Sequence, residues 1–311
     1  MTSMTSMAEF HHKLNQSISL SEKQARWQAY RKQITDQIEQ DIKPGGTTLI
    51  LGAGACNDLD LSRLKALSDH VVLSDIDTRT TKEGVIYQGY DVLEFTYIEA
   101  DYSGLESLGF FADLEALVLK QSSVHQIVDH INKSFKKVAE TKGLWEENAL
   151  SMLCGMPINS LIVMPRYTQL VLPPFRAILN NRVVVDYYQE EDIVHMTQAF
   201  LDKAGIVIKR FNELVRHLTI QHNAQFILLA DILEYQTEDP IFSQLSNDTM
   251  NHLFLETLVN DYINQFGHGF GSYGVWHLES IMPLEPKKWF VWPYELHRKM
   301  VVAYLTGIAR L

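Results

Sequence analysis

Two groups of residues in this sequence combine types and spacing that could do chemistry. The first is Gly52-Ala53-Gly54, followed by Asn57 and then by Asp75. A glycine lacks Cβ, so the backbone at Gly52 and Gly54 can bend sharply and come close to a ligand. Dinucleotide binding asks for a third glycine, because the pyrophosphate rests on the start of the following helix. Asn57 stands at that third position, so the dinucleotide fingerprint fails. A nucleoside without phosphates needs only the close approach at the glycines and a carboxylate to accept hydrogen bonds from both ribose hydroxyls. Asp75 is that carboxylate by position. The second group is Pro165-Arg166-Tyr167-Thr168-Gln169, with Asp231 further on. The planar fork of Arg166 suits a substrate carboxylate, and a tyrosine hydroxyl at Tyr167 can orient a nucleophile. The alternative is a structural pair between Arg166 and Asp231 that holds two loops together, and it is the simpler account of both charges.

These residues need a scaffold, and the apolar pattern supplies one. Thr48 to Leu51 is a short apolar run of the kind a buried parallel strand requires. A helix is expected from Asn57 and Asp58, with Leu59, Leu61, Leu64 and Leu67 at helical spacing. Val71 to Leu73 forms a second strand that ends in Asp75, with Asp77 as a turn or cap residue. Strand, glycine turn, helix and strand make the first half of a nucleotide-binding βαβ unit. Further strands are expected at Thr96 to Ala100, Ser160 to Met164 and Phe226 to Ala230. In a doubly wound sheet, ligands bind beyond the carboxyl ends of the strands. That rule puts Arg166, Tyr167 and Gln169 at a pocket mouth and Asp231 on the ligand side. Two final strand-like runs, Lys288 to Trp292 and Met300 to Ile308, are joined through Pro293-Tyr294.

The remaining elements are read from caps and periodicity. Residues 1 to about 18 are expected to be loose, with Phe10 able to pack down. Ser21 and Gln24 form a capping signature ahead of Trp27, Tyr30, Ile34 and Ile38, a helix that stops before Lys43-Pro44-Gly45-Gly46. Thr78 to Gly84 reads as a polar turn. Residues 104–157 exceed one crossover helix and read as a helical insertion packed on the sheet, including a turn at Gly143 and a short helix from Trp145 to Leu153. A long helix is expected from Glu190 to His217 and another around Leu253 to Ile263. Phe266 to Gly271 reads as a flexible loop, not a phosphate loop, since neither a leading strand nor a following Lys-Ser/Thr accompanies it.

Thr47 to Asp77 resembles the first two motifs of the class I, seven-stranded S-adenosylmethionine-dependent methyltransferases. Leu51-Gly52-Ala53-Gly54 matches the glycine-rich loop, and Leu73-Ser74-Asp75 matches the ribose-binding strand end. The pattern departs from the usual one at Ile50, where an acid is common, and at Cys56, where the loop's third glycine would stand. The resemblance implies an α/β, Rossmann-like, doubly wound seven-stranded sheet with a C-terminal antiparallel hairpin. It implies residues 1–46 as an N-terminal helical extension and 47–311 as the cofactor-binding domain, with the insertion at about 104–157. It further implies S-adenosyl-L-methionine as cofactor, held by Gly52, Ala53, Gly54, Asn57 and Asp75. Asp101 would accept the adenine amine and Tyr102 would offer a ring face, although capping a helix after the strand explains Asp101 as well. Trp27 and Tyr30 would be candidates to line the site, unless they only dock their helix. Tyr167, Arg166 and Asp231 would then stand near the transferred methyl, with the Tyr167 ring facing the sulfonium.

Composition narrows the classes. The chain has 311 residues, 46% of them hydrophobic, enough for a large core and unlike a disordered segment. A formal charge of −11 argues against nucleic acid as a partner. Lys133, Lys136, Lys137 and Lys142 read as a solvated helix face. The two cysteines, Cys56 and Cys154, form no spacing motif, as expected in a reducing cytoplasm. No apolar run is long enough for a membrane span, and the first residues lack a signal-peptide core. Of the 12 histidines, His195, His217, His222 and His268 are placed to reach a pocket, and no spacing singles one out as a base or metal ligand. Three functions compete: methyl transfer to a small molecule or peptide, transfer of an aminopropyl or aminocarboxypropyl group, and a non-catalytic cofactor-binding or scaffold role. The retention of Gly52, Gly54 and Asp75 together argues against the last.

Overall fold

The computed structural model describes residues 6–16, 19–141, 156–164, 167–170, 172–245 and 252–308. Its centre is a seven-stranded sheet. The strands are β1 (Thr47–Leu51), β2 (His70–Asp75), β3 (Thr96–Glu99), β4 (Ile158–Val163), β5 (Gln225–Gln236), β6 (Lys288–Glu295) and β7 (Arg298–Ile308). Their order is β3-β2-β1-β4-β5-β7-β6. The first five are parallel, and β7 runs antiparallel between β5 and β6. The order reverses between β1 and β4, which opens a crevice at the carboxyl ends of those strands, where ligands of such sheets bind.

Continuous apolar runs mark strands covered on both faces, and alternate residues of each strand enter opposite cores. Leu49, Leu51, Leu161, Val163, Phe226 and Leu228 join one core. Ile50, Ile162, Ile227 and Leu229 join the other. Helix α3 (Gln28–Asp41) covers the second face with Tyr30, Ile34 and Ile38, and α4 (Leu61–Leu67) adds Leu61 and Leu64. The first face is covered by α10 (Glu190–His222), α11 (His252–Phe266) and α12 (Phe270–Ile281).

A third apolar cluster forms among helices alone. It joins α6 (Phe110–Leu119) and α7 (Val124–Glu140) to α8 (Leu172–Leu179), α9 (Arg182–Tyr187) and the first half of α10. The region expected as an insertion on the sheet therefore packs on other helices, through Phe110, Phe135, Phe175 and Phe200. Its expected turn at Gly143 and helix from Trp145 to Leu153 lie outside the described residues. Lys133 and Lys136 pair with Asp129 and Glu140 on the exposed face of α7.

Several local expectations change. Residues 7–15 form a helix, α1 (Met7–Asn15), capped by Ser6 and held by the fully buried Met7. The following helix is two, α2 (Leu20–Arg26) and α3, broken at Trp27, and its cap is Ser19 rather than Ser21. Thr78 to Gly84, read as a turn, belongs to α5 (Thr78–Tyr87). Asp77 caps that helix by accepting the Thr80 backbone N–H at 3.1 Å. A good cap and a packed face outweigh weak β-branched propensity. Helix α4 begins only at Leu61, capped by Asp60, because residues 54–60 turn through Cys56 at φ 52°. The stretch read as loop is loop only at residues 267–269, between the end of α11 at Phe266 and the start of α12 at Phe270. Strand β5 continues to Gln236, so Asp231 lies within the strand, next to a register shift. Pro293 and Tyr294 lie in β6 rather than in the turn. Among the described residues no helix is long and apolar enough to cross a membrane.

Candidate functional site

The carboxyl ends of β1 to β4 open into one cleft. Its floor includes Gly52, Gly54 and Asp75. The backbone N–H groups of Gly52 and Ala53 donate to the Ser74 carbonyl at 2.9 and 3.1 Å, which ties the glycine turn to the end of β2. Gly52 has φ 74°, and a Cβ there would lie 2.8 Å from the Met164 carbonyl oxygen. Gly54 has φ 51°, and a Cβ there would meet nothing within 4 Å, so the turn leaves open space above it.

Asp75 is half-buried beside this turn. One carboxylate oxygen accepts the Gly54 N–H and the other accepts the Asp77 N–H, each at 2.9 Å. A carboxylate has about four acceptor positions, so Asp75 keeps capacity for hydroxyl donors from the cleft. The neighbouring Asp77 is 3% exposed and its carboxylate serves α5 and α1: it accepts from Thr80 and from Asn15, and His12 lies 3.5 Å away. That matches its expected cap role.

Asn57 lines the cleft, but its side chain is engaged from above. Its carbonyl accepts from Gln24 at 2.8 Å, and its backbone oxygen accepts from Arg31. Burial lowers the Arg31 pKa from its ordinary value, partly offset by Asp60 and Asp58. Asp101 also lines the cleft, yet both its oxygens organise the next turn. One accepts from the backbone and hydroxyl of Ser103, the other from the N–H groups of Glu106 and Ser107. It therefore organises a turn rather than capping a helix, since α6 begins only at Phe110 with Gly109 at its cap position. Tyr102 donates to Ser74 at 2.5 Å and meets Phe211 edge-on at 5.3 Å. Burial pushes its phenol pKa well up, so it stays protonated.

Of the residues that cover the cleft, the sequence pointed only to Trp27. Met7, His11 and Asn15 of α1, with Lys23 of α2 and Trp27, line it from above. Helix α1 lies over the ends of β2 and β3, where the Met7 N–H donates to Glu106 and His12 contacts Thr80 at 3.0 Å. Trp27 does line the cleft and donates its indole N–H to the Tyr294 carbonyl at 3.2 Å. Tyr30 does not line it; its ring stacks on Trp292. Gly84 was also missed: a Cβ there would lie 2.0 Å from the Ala55 carbonyl, so α5 can press on the glycine turn only without one. The polar cap at Ser6 and the glycine within a helical stretch were the available signals.

The second group of residues is divided by the structure. Gln169 and Leu170, on a 3-10 turn spanning Tyr167–Leu170, line the cleft. Tyr167 does not: it is fully buried, and its hydroxyl donates to Asn212 at 2.9 Å. Asn212 donates in turn to the Gly274 carbonyl at 2.7 Å. Burial raises the Tyr167 pKa far above its usual value, which removes it as a base. Asp231 is not among the residues lining the cleft, and Arg166 lies outside the described residues. None of His195, His217, His222 and His268 lines the cleft, whereas His11 does. Among the described residues no group of three or more His, Cys, Asp or Glu is arranged to hold a metal ion.

No family model matches this sequence, and no curated protein matches it. Several solved structures resemble it at low identity. The N-methyltransferase NodS from Bradyrhizobium japonicum WM9 aligns with a TM-score of 0.36 and 5% identity, over 90% of this chain and 98% of its own. Magnesium protoporphyrin IX methyltransferase (ChlM) from Synechocystis PCC 6803, with bound SAH, aligns at 0.35 and 10%, over 94% and 89%. Human N-acetylserotonin methyltransferase (ASMT), in complex with SAM, aligns at 0.33 and 10%, over 92% and 56%. The sheet order, with five parallel strands and an antiparallel β7 between β5 and β6, itself gives this chain a class I methyltransferase-like fold.

Proposed function

We propose that this chain is an S-adenosyl-L-methionine-dependent methyltransferase acting on a small molecule or peptide. The observation that carries the reading is the meeting of Gly52, Gly54 and Asp75 on one cleft, with a Gly54 N–H bound to the Asp75 carboxylate. The site fits a nucleoside by its own geometry. Asp75 has acceptor capacity for ribose hydroxyls, and the turn above Gly54 is open. A dinucleotide would want a helix start directly behind the glycines, and α4 starts only at Leu61.

When bound, the cofactor supplies an electrophilic methyl group. The residues of the chain bind it, orient it and keep water out. Gly52, Ala53, Gly54, Asn57 and Asp75 hold it, and Tyr102 and Phe211 bound the cleft with apolar surface. Asp101 contributes by shaping the turn from Ser103 to Ser107. Methyl transfer is an in-line displacement that depends chiefly on positioning. We place the acceptor beside Gln169 and Leu170, with Arg166 as a clamp for an acceptor anion. Tyr167 and Asp231 support that wall from behind it. A cytoplasmic setting and a non-nucleic-acid acceptor belong to the same proposal, given the net charge of −11 and the buried free thiol of Cys56.

Calorimetry with S-adenosylhomocysteine and with NAD tests the cofactor half, and saturable binding of the first alone is the expected result. Incubation of cell extract with labelled cofactor, followed by mass spectrometry, tests the transfer. Binding of NAD without binding of the adenosyl ligand would overturn the assignment.

A further inference from the structure

Helix α11 buries only part of its apolar surface. Leu255 and Val259 enter the sheet core. Leu258, Tyr262 and Phe266, spaced four apart, form a row that runs out of that core into solvent. Leu258 is half-buried against the core, Tyr262 is 40% exposed and Phe266 is 66% exposed. The last turn of the helix thus carries apolar side chains past the surface that covers the rest. The Tyr262 and Phe266 rings lie 5.0 Å apart. His268, two residues beyond Phe266, lies 6.0 Å from the ring of Trp276 in α12, itself 51% exposed. An aromatic side chain offers ~150–250 Å², so these exposures leave roughly 300 Å² of ring surface uncovered. A patch of that size on a monomer commonly serves an interaction.

The residues around the row narrow the partner. Over its whole length α11 carries no lysine or arginine, and its acids are Glu256 and Asp261. Such a surface attracts neither a phosphate backbone nor an anionic bilayer. Asn260, Asn264 and Gln265 are exposed and uncharged, which suits the polar rim of a protein interface around aromatic anchors. We infer that this end of α11 is the contact with a second copy of the chain. A twofold interface sets one patch against itself, so the patch must be its own complement. A row at i, i+4 spacing meets that condition, because two antiparallel copies of it interdigitate. With the axis at Tyr262, the two Tyr262 rings meet, and Leu258 of each copy faces Phe266 of the partner subunit. The same pairing sets Glu256 level with His268 of the partner subunit and Asp261 level with Ile263 of the partner subunit, so no acid faces an acid. Trp276 and the exposed amides widen the contact towards the ~800 Å² that each partner of a stable pair buries. A chain of net charge −11 meets its copy here across a patch that is itself nearly uncharged. The inference stands independently of the proposed function.

The test is sedimentation equilibrium on the full chain over about 1–100 μM. The wild type should pass from monomer to dimer within that range. Phe266→Asp should raise the dimer Kd roughly thirtyfold or more, as the loss of an interface anchor does. Leu93→Asp, at a position 88% exposed on another part of the surface, should leave the Kd unchanged. Both variants should keep the wild-type Tm at low protein concentration. Amide hydrogen exchange gives a readout that needs no variant and decides the matter if Phe266→Asp does not fold. Residues 258–266 of the wild type should exchange more slowly at the upper concentration than at the lower. A chain that stays monomeric throughout overturns the inference. So does a dimer that Phe266→Asp leaves intact, and so does one that forms without slowed exchange in residues 258–266.

Discussion

Asp75→Ala probes the part of the site on which the rest depends. The substitution removes two charged acceptors, one from the Gly54 N–H and one from the Asp77 N–H, both at 2.9 Å. A hydrogen bond to a charged group contributes about 1.5–3 kcal/mol. Asp75 is half-buried and Gly54 can turn its N–H to water, so the sum should fall near ~2–3 kcal/mol. For a chain of this size that lowers Tm by roughly 3–5 °C. The ligand loses its ribose acceptor as well, another ~1.5–3 kcal/mol, or about ten- to over a hundredfold in Kd. Asp77→Ala is the matched control. It removes the α5 cap and the contacts to Asn15 and His12, so it should cost about 1–2 kcal/mol of stability. It faces the helices rather than the ribose, and its effect on Kd should stay within about threefold. Thermal denaturation and calorimetry with S-adenosylhomocysteine on both variants give the two axes. Equal losses of affinity in the two variants would show that the strand register is misassigned, and unchanged affinity in Asp75→Ala would remove it from the ribose site.

Two further outcomes follow from buried groups. Tyr167→Phe deprives the buried Asn212 of its donor and should destabilise the chain by about 1–2 kcal/mol while leaving ligand affinity intact; lost turnover at unchanged stability would instead return Tyr167 to the chemistry. The His222 ring accepts the Ile158 N–H at 3.4 Å, which needs a neutral nitrogen, and burial holds its pKa below 6.5. The unfolded chain then takes up the proton first, so this contribution is whole above about pH 6.5 and is lost as pH falls through the lower folded value. Melting curves between pH 5 and 8 should show a shallower acid-side decline in His222→Gln, and identical curves would refute the assignment.

The sheet was legible because its signals are local. Strands buried on both faces must be apolar throughout, so β1, β2 and β4 stand out as runs, and each ends at the residue that turns towards the cleft. Gly52, Gly54 and Asp75 were legible for a related reason: a positive φ and a carboxylate at a strand end are demands that one position makes of one residue type. The long α10 was found within a residue at its start because its apolar spacing extends over many turns.

What the sequence determined by itself is the βαβ core, its glycine turn and the acid that serves it. Tertiary structure decided the rest. Helix α1 is held by Met7 in a pocket built from distant helices, and α5 by Gly84 against Ala55, contacts that no local pattern encodes. Tyr167 follows β4 as the sheet rule requires, but Asn212 and Gly274, far along the chain, turn its ring inward and leave Gln169 at the cleft. Nothing in the local sequence marks Lys23. Its place over the glycine turn is set by Gln24 on Asn57 and by its own bond to Asn15. Backbone conformation answers to neighbours in sequence, whereas the direction of a side chain answers to whatever the fold packs beside it.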